Sequence, residues 1–334
     1  MVIPLTKPVI NEEMKEALIK TFESKSFLRG KPVEELENDF AKYIGVKHAI
    51  AVNSGMSALL LPLRSMNIGK GDKVITTPAT FISTANTIVL AGAEPIFADI
   101  DINNYSISPG KVREVIERYG SSIKAIIPVH LYGYPCDMDA LLELCNKYNI
   151  RIIEDASQAH GAKYNGKKVG SIGDVGSFSF YPTKIMTVGG DGGMITTNNE
   201  EIAEKCRELR DDGLSRDGSD IYNDIGYAAR LNSINAAIGK VQLKHIDEWN
   251  KNRGEIANLY LSELSNVGHL KLPPKADDKY GRVWYAFAVR TTYRDQLKEY
   301  LEKHDICCGI SYKIPIHLQP AYKKLGFGKG MYPD

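Results

Sequence analysis

The feature that most constrains the fold is a series of short apolar runs that alternate with segments of helical spacing. The runs are HAIAVNSG (48–55), KVITT (73–77), EPIFADI (94–100), KAIIPVH (124–130), IRIIEDA (150–156) and VGSFSFY (175–181). Continuous apolar runs of this length are typical of strands that are buried on both faces of a parallel sheet. The first two-thirds of the chain therefore predicts an α/β domain.

Helical segments occupy the stretches between these runs. Asn11 and Asp137 are each expected to cap a helix, because their side chains can accept bonds from the free N–H groups of a first turn. Two further helices are predicted over 56–66 and 83–90. Strands and helices thus alternate along the chain, as they do in a three-layer α/β/α domain.

The pattern changes after a long helix that is predicted over 233–253. The segments predicted beyond it are a strand over 283–289, a helix over 294–304 and an extended stretch over 308–316. This order indicates a small α+β domain. We therefore place a large domain at residues 1–245 and a small C-terminal domain at residues 246–334.

Charge and cysteine content exclude several classes of protein. Lys and Arg number 42 against 41 Asp and Glu, so no basic excess is available to bind a nucleic-acid backbone. No apolar run approaches the ~20 residues of a membrane span, and the N-terminus lacks a signal-peptide core. Five cysteines without a CxxC pair suggest neither a disulfide framework nor a zinc site. We expect a cytoplasmic protein without a metal.

Ligands bind at the carboxyl ends of the strands in open α/β sheets, and polar clusters follow several of the predicted strands. The turn Asn53–Ser57, which includes Gly55 and Met56, could form a phosphate cup from the N–H groups of a helix start. An ordinary turn with a serine cap is the alternative.

At the end of another run, Glu154 and Asp155 must point to opposite sides, so only one of them can face a pocket. That residue would hold a cationic nitrogen or merely cap a helix.

A lysine and an aromatic residue complete the set. Lys184 lies just past a strand and before a glycine-rich loop, and its apolar flanks would partly bury the amine and lower its pKa. A solvated surface lysine is the alternative. Phe81 is either a core residue or a flat lid on an aromatic ring. A phosphate cup, an amine, an acid and a stacking ring together point to pyridoxal phosphate.

The sequence resembles the DegT/DnrJ/EryC1/StrS aminotransferases, which are fold-type-I pyridoxal phosphate enzymes that aminate nucleotide-linked keto-sugars. The matching stretches are NSGMSALLL, TTPATFISTANTIVLAGAEPIFADID, IIEDASQAHGA, GDVGSFSFYPTKIMTVGGDGGMITTN, GYAARLNSINAAIGKVQL and YKIPIHLQPAY. The resemblance implies a mostly parallel sheet in the large domain. Members of the family usually continue past the point that matches residues 331–334, so either this chain is naturally short or the small domain is incomplete at its end. The resemblance also implies a cytoplasmic homodimer of amino-sugar biosynthesis, with active sites shared between subunits.

Residue roles are carried over by position. The resemblance assigns Lys184 to a Schiff base with the cofactor, Asp155 to the pyridine nitrogen and Gln158 to the ring 3-hydroxyl. Ser179, together with the turn of Gly55, Met56 and Ser57, would hold the phosphate, and Phe81 would stack on the ring. Arg230, Tyr312 and His317 are the substrate candidates; His317 could instead be a loop histidine that helps the small domain fold.

Two positions depart from the family pattern. Met56 replaces a threonine and Ala228 an asparagine, and both lost side chains normally reach the phosphate, the second one from the partner subunit. Two functions other than amino transfer are also compatible with the resemblance. A sugar dehydrase of the same family would carry histidine in place of Lys184, and a regulatory protein would bind a ligand without turnover. The expected reaction is ping-pong transfer of an amino group, with glutamate as donor.

Overall fold

The parallel sheet that the apolar runs predict is present. The computed structural model describes residues 2–28 and 30–333. Its strands are β1 His48–Val52, β2 Lys73–Thr76, β3 Glu94–Phe97, β4 Ile123–Ile126, β5 Arg151–Asp155, β6 Lys163–Tyr164, β7 Lys167–Lys168, β8 Val175–Ser179, β9 Gly193–Thr197 and β10 Tyr280–Gly281.

The helices of the described residues lie largely between these strands. They are α1 Glu12–Glu23, α2 Lys31–Ile44, α3 Gly55–Ser65, α4 Ser83–Leu90, α5 Pro109–Tyr119, α6 Met138–Tyr148, α7 Glu200–Arg210, α8 Ser233–Glu263, α9 Arg294–Lys303 and α10 Pro320–Lys323. The predicted caps are confirmed, since Asn11 Oδ1 accepts from Met14 N at 2.9 Å and Asp137 Oδ1 accepts from Ala140 N at 3.5 Å.

In the described part of the chain the main sheet has the order β1-β9-β8-β5-β4-β2-β3. Its pairs are parallel from β3 across to β8, and β9 runs antiparallel to both β8 and β1. The predicted α/β fold with a mostly parallel sheet is thus confirmed. Because β9 is antiparallel to both of its neighbours, β1 and β8 run in the same direction and end at the same edge of the sheet.

Helices cover both faces of this sheet. On one face Phe40 of α2 packs edge-on against Phe178 of β8, with ring centroids 5.0 Å apart. On the other face Ile50, Ile153 and Ile195 are fully buried in a cluster that α3 and α7 share. Burial on both faces explains why the strands read as continuous apolar runs rather than as an alternating pattern.

The prediction for the segment 283–289 is wrong. These residues, all of them described, form no strand, and only the short β10 before them pairs, with β6. Trp284 and Phe287 instead pack against Ala257 and Leu261 of α8. The apolar side chains are therefore used for packing against a helix, while the N–H of Val283 donates to the carbonyl of Gly133 at 3.1 Å.

The long predicted helix extends to Glu263 and so passes without a break through residue 245, where we place the domain boundary. The division into domains at 245 and 246 stays a prediction. No helix among the described residues has the length and apolar character that a bilayer span would need.

Candidate active site

Three predicted site elements lie at the edge of the sheet where β1, β5 and β8 end, and Lys184 follows one of these strands. The turn after β1 leads into α3, Asp155 is the last residue of β5, and Ser179 is the last residue of β8. Lys184 follows five residues after Ser179 in the loop that leads to β9. Parallel strands place their carboxyl ends together, so this convergence follows from the sheet order.

The start of α3 lies directly against the end of β8. A β-carbon built on Gly55 would come within 2.6 Å of the Ser179 β-carbon, which is closer than side chains can approach. Only glycine therefore allows this contact. The first N–H groups of a helix have no partner within the helix, and here they are brought next to the Ser179 hydroxyl.

Polar side chains shape the turn before α3. The Ser54 hydroxyl accepts from the N–H of Ser57 at 3.1 Å, and the Ser57 hydroxyl donates to Asn53 Oδ1 at 2.6 Å. Asn53 Nδ2 donates in turn to the carbonyl of Ala228 at 3.2 Å. The serine cap that we considered as the alternative is thus present, and the phosphate cup stays a prediction. Met56 lies half-buried in the first turn of α3.

Asp155 is the acidic residue that faces this site. Its carboxylate is 5% exposed and accepts from the Thr84 hydroxyl at 2.9 Å through Oδ2 and from the N–H of Ser157 at 3.2 Å through Oδ1. No lysine or arginine of the described residues forms an ion pair with it. A buried carboxylate held by two neutral donors is suited to pair with a cationic group of a ligand.

Glu154 points to the other face of β5 and has a structural role. It is fully buried and accepts from the N–H groups of Gly170, Ile172 and Gly173 at 2.7–2.8 Å. His130 Nε2 lies 3.0 Å from it, and His130 Nδ1 accepts from a backbone N–H, so the proton on Nε2 is donated to Glu154. The strand alternation that we predicted thus separates the two acids.

Gln158 is 4% exposed and hydrogen-bonded at both ends of its amide. Oε1 accepts from the N–H of Tyr132 at 2.8 Å, and Nε2 donates to the hydroxyl of Tyr312 at 2.9 Å. Since a backbone N–H can only donate, the amide oxygen must face Tyr132. The amide nitrogen, with its two hydrogens, is therefore the part of Gln158 that points towards Tyr312.

Lys184 is half-buried, as its flanking residues predict. Its Nζ lies over the ring of Tyr285, 4.9 Å from the centroid, and within the described residues it forms no ion pair with a carboxylate. An amine that rests on an aromatic face rather than on a carboxylate keeps its lone pair available when deprotonated. Tyr285 was not singled out from the sequence, because nothing in its neighbourhood distinguishes it from a core aromatic residue.

His160 lies fully buried beneath this part of the site, with its ring 5.3 Å from Phe178 and 5.9 Å from Phe180. Burial, and to a smaller extent the charge of Lys184, lowers the pKa of His160 to about 3. The imidazole is therefore neutral at physiological pH.

The remaining candidates differ in where they lie. Phe81 is 55% exposed and tilts against Tyr312 with ring centroids 6.3 Å apart, so it is not a core residue. Arg230 forms ion pairs with Asp211 and Asp212 of its own chain, at 2.7 Å for Asp212. These carboxylates raise the pKa of the Arg230 guanidinium and leave it committed to them in this structure.

His317 is buried in the packing of the C-terminal segment. It is 4% exposed and its ring meets Tyr332 at a centroid distance of 5.1 Å. Burial lowers the pKa of this histidine. Its neighbour Ile316 donates an N–H to the carbonyl of Pro78 at 3.0 Å, which ties this segment to the loop after β2. The contacts of His317 are those of a packing residue.

The residues present fit pyridoxal phosphate. The start of α3 and the Ser179 hydroxyl would hold the phosphate, with Gly55 leaving the space that a β-carbon would fill. The buried Asp155 carboxylate would pair with the ring nitrogen, the amide nitrogen of Gln158 would donate to the 3-hydroxyl oxygen, and the amine of Lys184 would face the aldehyde.

Comparison with known proteins gives a consistent result. The model of the DegT/DnrJ/EryC1/StrS aminotransferase family matches residues 8–333. A dTDP-3-amino-3,6-dideoxy-alpha-D-galactopyranose transaminase of Aneurinibacillus thermoaerophilus is 42% identical over 94% of this chain and 84% of its own. A pleiotropic regulatory protein of Geobacillus stearothermophilus is 39% identical over 97% of this chain and 86% of its own.

Among solved structures, DesV of S. venezuelae in complex with a ketimine intermediate superposes with a TM-score of 0.92. It is 38% identical, and the match covers 96% of this chain and 85% of that one.

Proposed function

This chain belongs to the DegT/DnrJ/EryC1/StrS aminotransferase family, and from that premise we propose that it transfers an amino group from glutamate to a nucleotide-linked keto-sugar. It is an aminotransferase, and its cofactor is pyridoxal phosphate, which solved structures of the same fold contain in its pyridoxal or pyridoxamine form. The identity of the donor and of the sugar nucleotide belongs to the proposal.

The observation that carries this proposal is the position of Lys184. A half-buried amine without a carboxylate partner among the described residues follows the same strand end as Ser179. A sugar dehydrase of the family would have a histidine at this position, so the lysine favours amino transfer. A surface lysine would instead be solvated.

When bound, pyridoxal phosphate supplies a carbonyl carbon that takes up the amino group and a ring that stabilises negative charge at the substrate carbon. Asp155 would hold the proton of the ring nitrogen and balance its charge. The amine of Lys184 would act as the base that removes the proton from the substrate carbon and delivers it to the cofactor carbon that keeps the amino group, and the opposite half-reaction would move a proton the other way. His160 is neutral, so it adds no positive charge beneath that amine.

A cavity of about 190 Å³ beside Lys184 supports a nucleotide-linked substrate. Its lining includes two more cations, Lys7 and Arg253, and the indole of Trp249. Arg253 donates to the carbonyl of Trp284 at 3.2 Å and has no acidic partner among the described residues. Cations and an aromatic ring are the groups that bind a diphosphate and a base.

Exposed apolar side chains near the site support the homodimer with shared active sites. Phe81 and Tyr181 are at least half exposed, as are Ile221, Tyr222 and Ile225 in the loop that precedes Arg230. An exposed apolar surface of this kind is typical of a protein interface. A cytoplasmic location is part of the same proposal.

The test is an absorption spectrum of the purified protein with pyridoxal phosphate, before and after addition of glutamate. We expect a visible band that glutamate abolishes, with one equivalent of 2-oxoglutarate released per subunit, and that a nucleotide-linked keto-sugar restores. Lys184→Ala is the control and should show no turnover. A band that is insensitive to every amino donor would contradict the proposal and favour a regulatory role, the role that the name of the Geobacillus relative describes.

A further inference from the structure

A chain of hydrogen bonds connects the site to a buried arginine on the far side of a loop. Arg282 Nη2 donates to the carbonyl of Tyr132 at 3.3 Å. The N–H of Tyr132 donates to Gln158 Oε1, and Gln158 Nε2 donates to the Tyr312 hydroxyl. All donors in this chain point in one direction, from Arg282 towards the site.

Arg282 is placed unusually for a charged residue. It is 7% exposed, and no carboxylate of the described residues pairs with it. Its guanidinium lies 3.6 Å from the ring centroid of Trp284, and Nη1 donates to the carbonyl of Pro274 at 2.9 Å. Burial lowers its pKa to about 10, so it stays charged at neutral pH. A buried cation is costly unless dipoles compensate it, and here backbone carbonyls and an indole face do so.

The loop that Arg282 contacts includes a non-glycine residue with an unfavourable backbone conformation. Tyr132 has φ = 55° and Gly133 has φ = 86°, both in the left-handed region. A non-glycine residue adopts that region only at a cost. The neighbour of Arg282, Val283, donates its N–H to Gly133, and a β-carbon on Gly133 would lie 2.2 Å from the Val283 carbonyl oxygen. Residues 282 and 283 therefore clamp Tyr132 and Gly133.

The clamp determines which end of the Gln158 amide faces the site. With the Tyr132 N–H aimed at it, Oε1 is committed as an acceptor, and only Nε2 remains to meet a ligand. If the loop relaxed, the amide could rotate and present an oxygen to the 3-hydroxyl oxygen of the cofactor, where two acceptors would oppose each other.

We propose that Arg282 is a positioning residue that fixes the donor orientation of Gln158 through the Tyr132 peptide groups. The inference rests on the proposed function in one respect, namely that Gln158 donates to the cofactor. The series of hydrogen bonds joins protein atoms only and so does not depend on a ligand.

The first test is a double-mutant cycle on the dissociation constant of pyridoxal phosphate. Arg282→Met should weaken binding about 5-fold, the order of one net hydrogen bond, with Arg282→Lys in between. In a Gln158→Ala background the same change should have less than about a 2-fold effect, because the group that it positions is gone. If the fold-changes of the dissociation constant in the two single variants multiply in the double variant, Arg282 acts only on overall stability, and the proposal is overturned.

The second test needs no cofactor. Hydrogen exchange of the peptide that contains Tyr132 should become about 10-fold faster in the cofactor-free Arg282→Met protein, since its clamp is lost. Arg290→Met is the matched control, because Arg290 also donates to a loop carbonyl, that of Ile102, at 3.1 Å, yet has no bond to Tyr132.

Equal exchange in the Arg282→Met and Arg290→Met variants would overturn the proposal. If Arg282→Met does not fold, Arg282→Lys serves in both tests. If the wild-type protein binds no pyridoxal phosphate, the proposed function fails, and the exchange experiment still decides whether Arg282 holds the loop.

Discussion

A β-carbon on Gly55 would lie 2.6 Å from the β-carbon of Ser179, so α3 begins in contact with the end of β8. This contact brings the N–H groups of a helix start and a serine hydroxyl to one point. It also means that the anion site depends on two segments that are more than a hundred residues apart in sequence. The contact makes the phosphate site sensitive to a single methyl group.

Gly55→Ala should therefore weaken binding of pyridoxal phosphate by about 10-fold or more, because α3 must move away from Ser179. Gly254→Ala is the matched control: Gly254 lies in α8 with nothing within 4 Å of a built β-carbon. That change should leave cofactor binding unaltered and stabilise the helix by up to about 1 kcal/mol. Titration of the visible band measures both variants, and equal affinities would refute the role of the contact.

Removing the charge of Asp155 should lower activity, whereas removing the charge of the adjacent Glu154 should lower stability. Asp155→Asn should lower kcat/KM about 100-fold or more with little change in stability, because the ring nitrogen loses its partner. Glu154→Gln should instead lower the free energy of unfolding by about 1–3 kcal/mol, since the carboxylate accepts from three backbone N–H groups and from His130.

Steady-state kinetics and urea unfolding on the same two proteins measure this difference. Glu154 would be the ligand-facing acid if the results were reversed.

Lys184→Ala should abolish transamination while leaving the fold intact, because the half-buried amine contacts the ring of Tyr285 and no carboxylate among the described residues. Added methylamine should restore a small part of the activity, since it can enter the space and act as a base. The measurement is 2-oxoglutarate release, with circular dichroism as the check on folding. Full activity of the variant would exclude Lys184 from the reaction.

His160 makes the stability of the protein depend on pH. Its pKa in the folded protein is about 3, against an ordinary value of 6.5, so the unfolded chain binds the proton first as the pH falls. The stabilising contribution of the neutral ring is complete above pH 6.5 and is lost progressively as the pH falls from there to about 3.

Between pH 7 and 5 the wild type should lose about 2 kcal/mol more stability than His160→Phe, a variant that cannot bind this proton. Phenylalanine is close in size and suits the contacts with Phe178 and Phe180. Urea unfolding at the two pH values measures the difference. Identical losses in both proteins would show that His160 is accessible to solvent or paired.

Much of the fold could be predicted from the sequence because the relevant interactions are local. The caps at Asn11 and Asp137 join residues three positions apart, and strand alternation alone indicates that Asp155 and Glu154 face opposite sides. The resemblance to the family, the sheet and the cofactor are confirmed. The roles of individual site residues, the domain boundary and the substrate stay predictions.

Contacts between distant parts of the chain were decided only by the tertiary structure. The segment 283–289 has the composition of a strand, yet its side chains pack on α8 and it forms no strand. Tyr285 meets Lys184, and Tyr312 meets Gln158, across more than a hundred residues. A periodic pattern records which side of an element is buried, but it carries no information on which other element covers that side. The orientation of Gln158, set by Tyr132 and Arg282, therefore emerges only once the chain has folded.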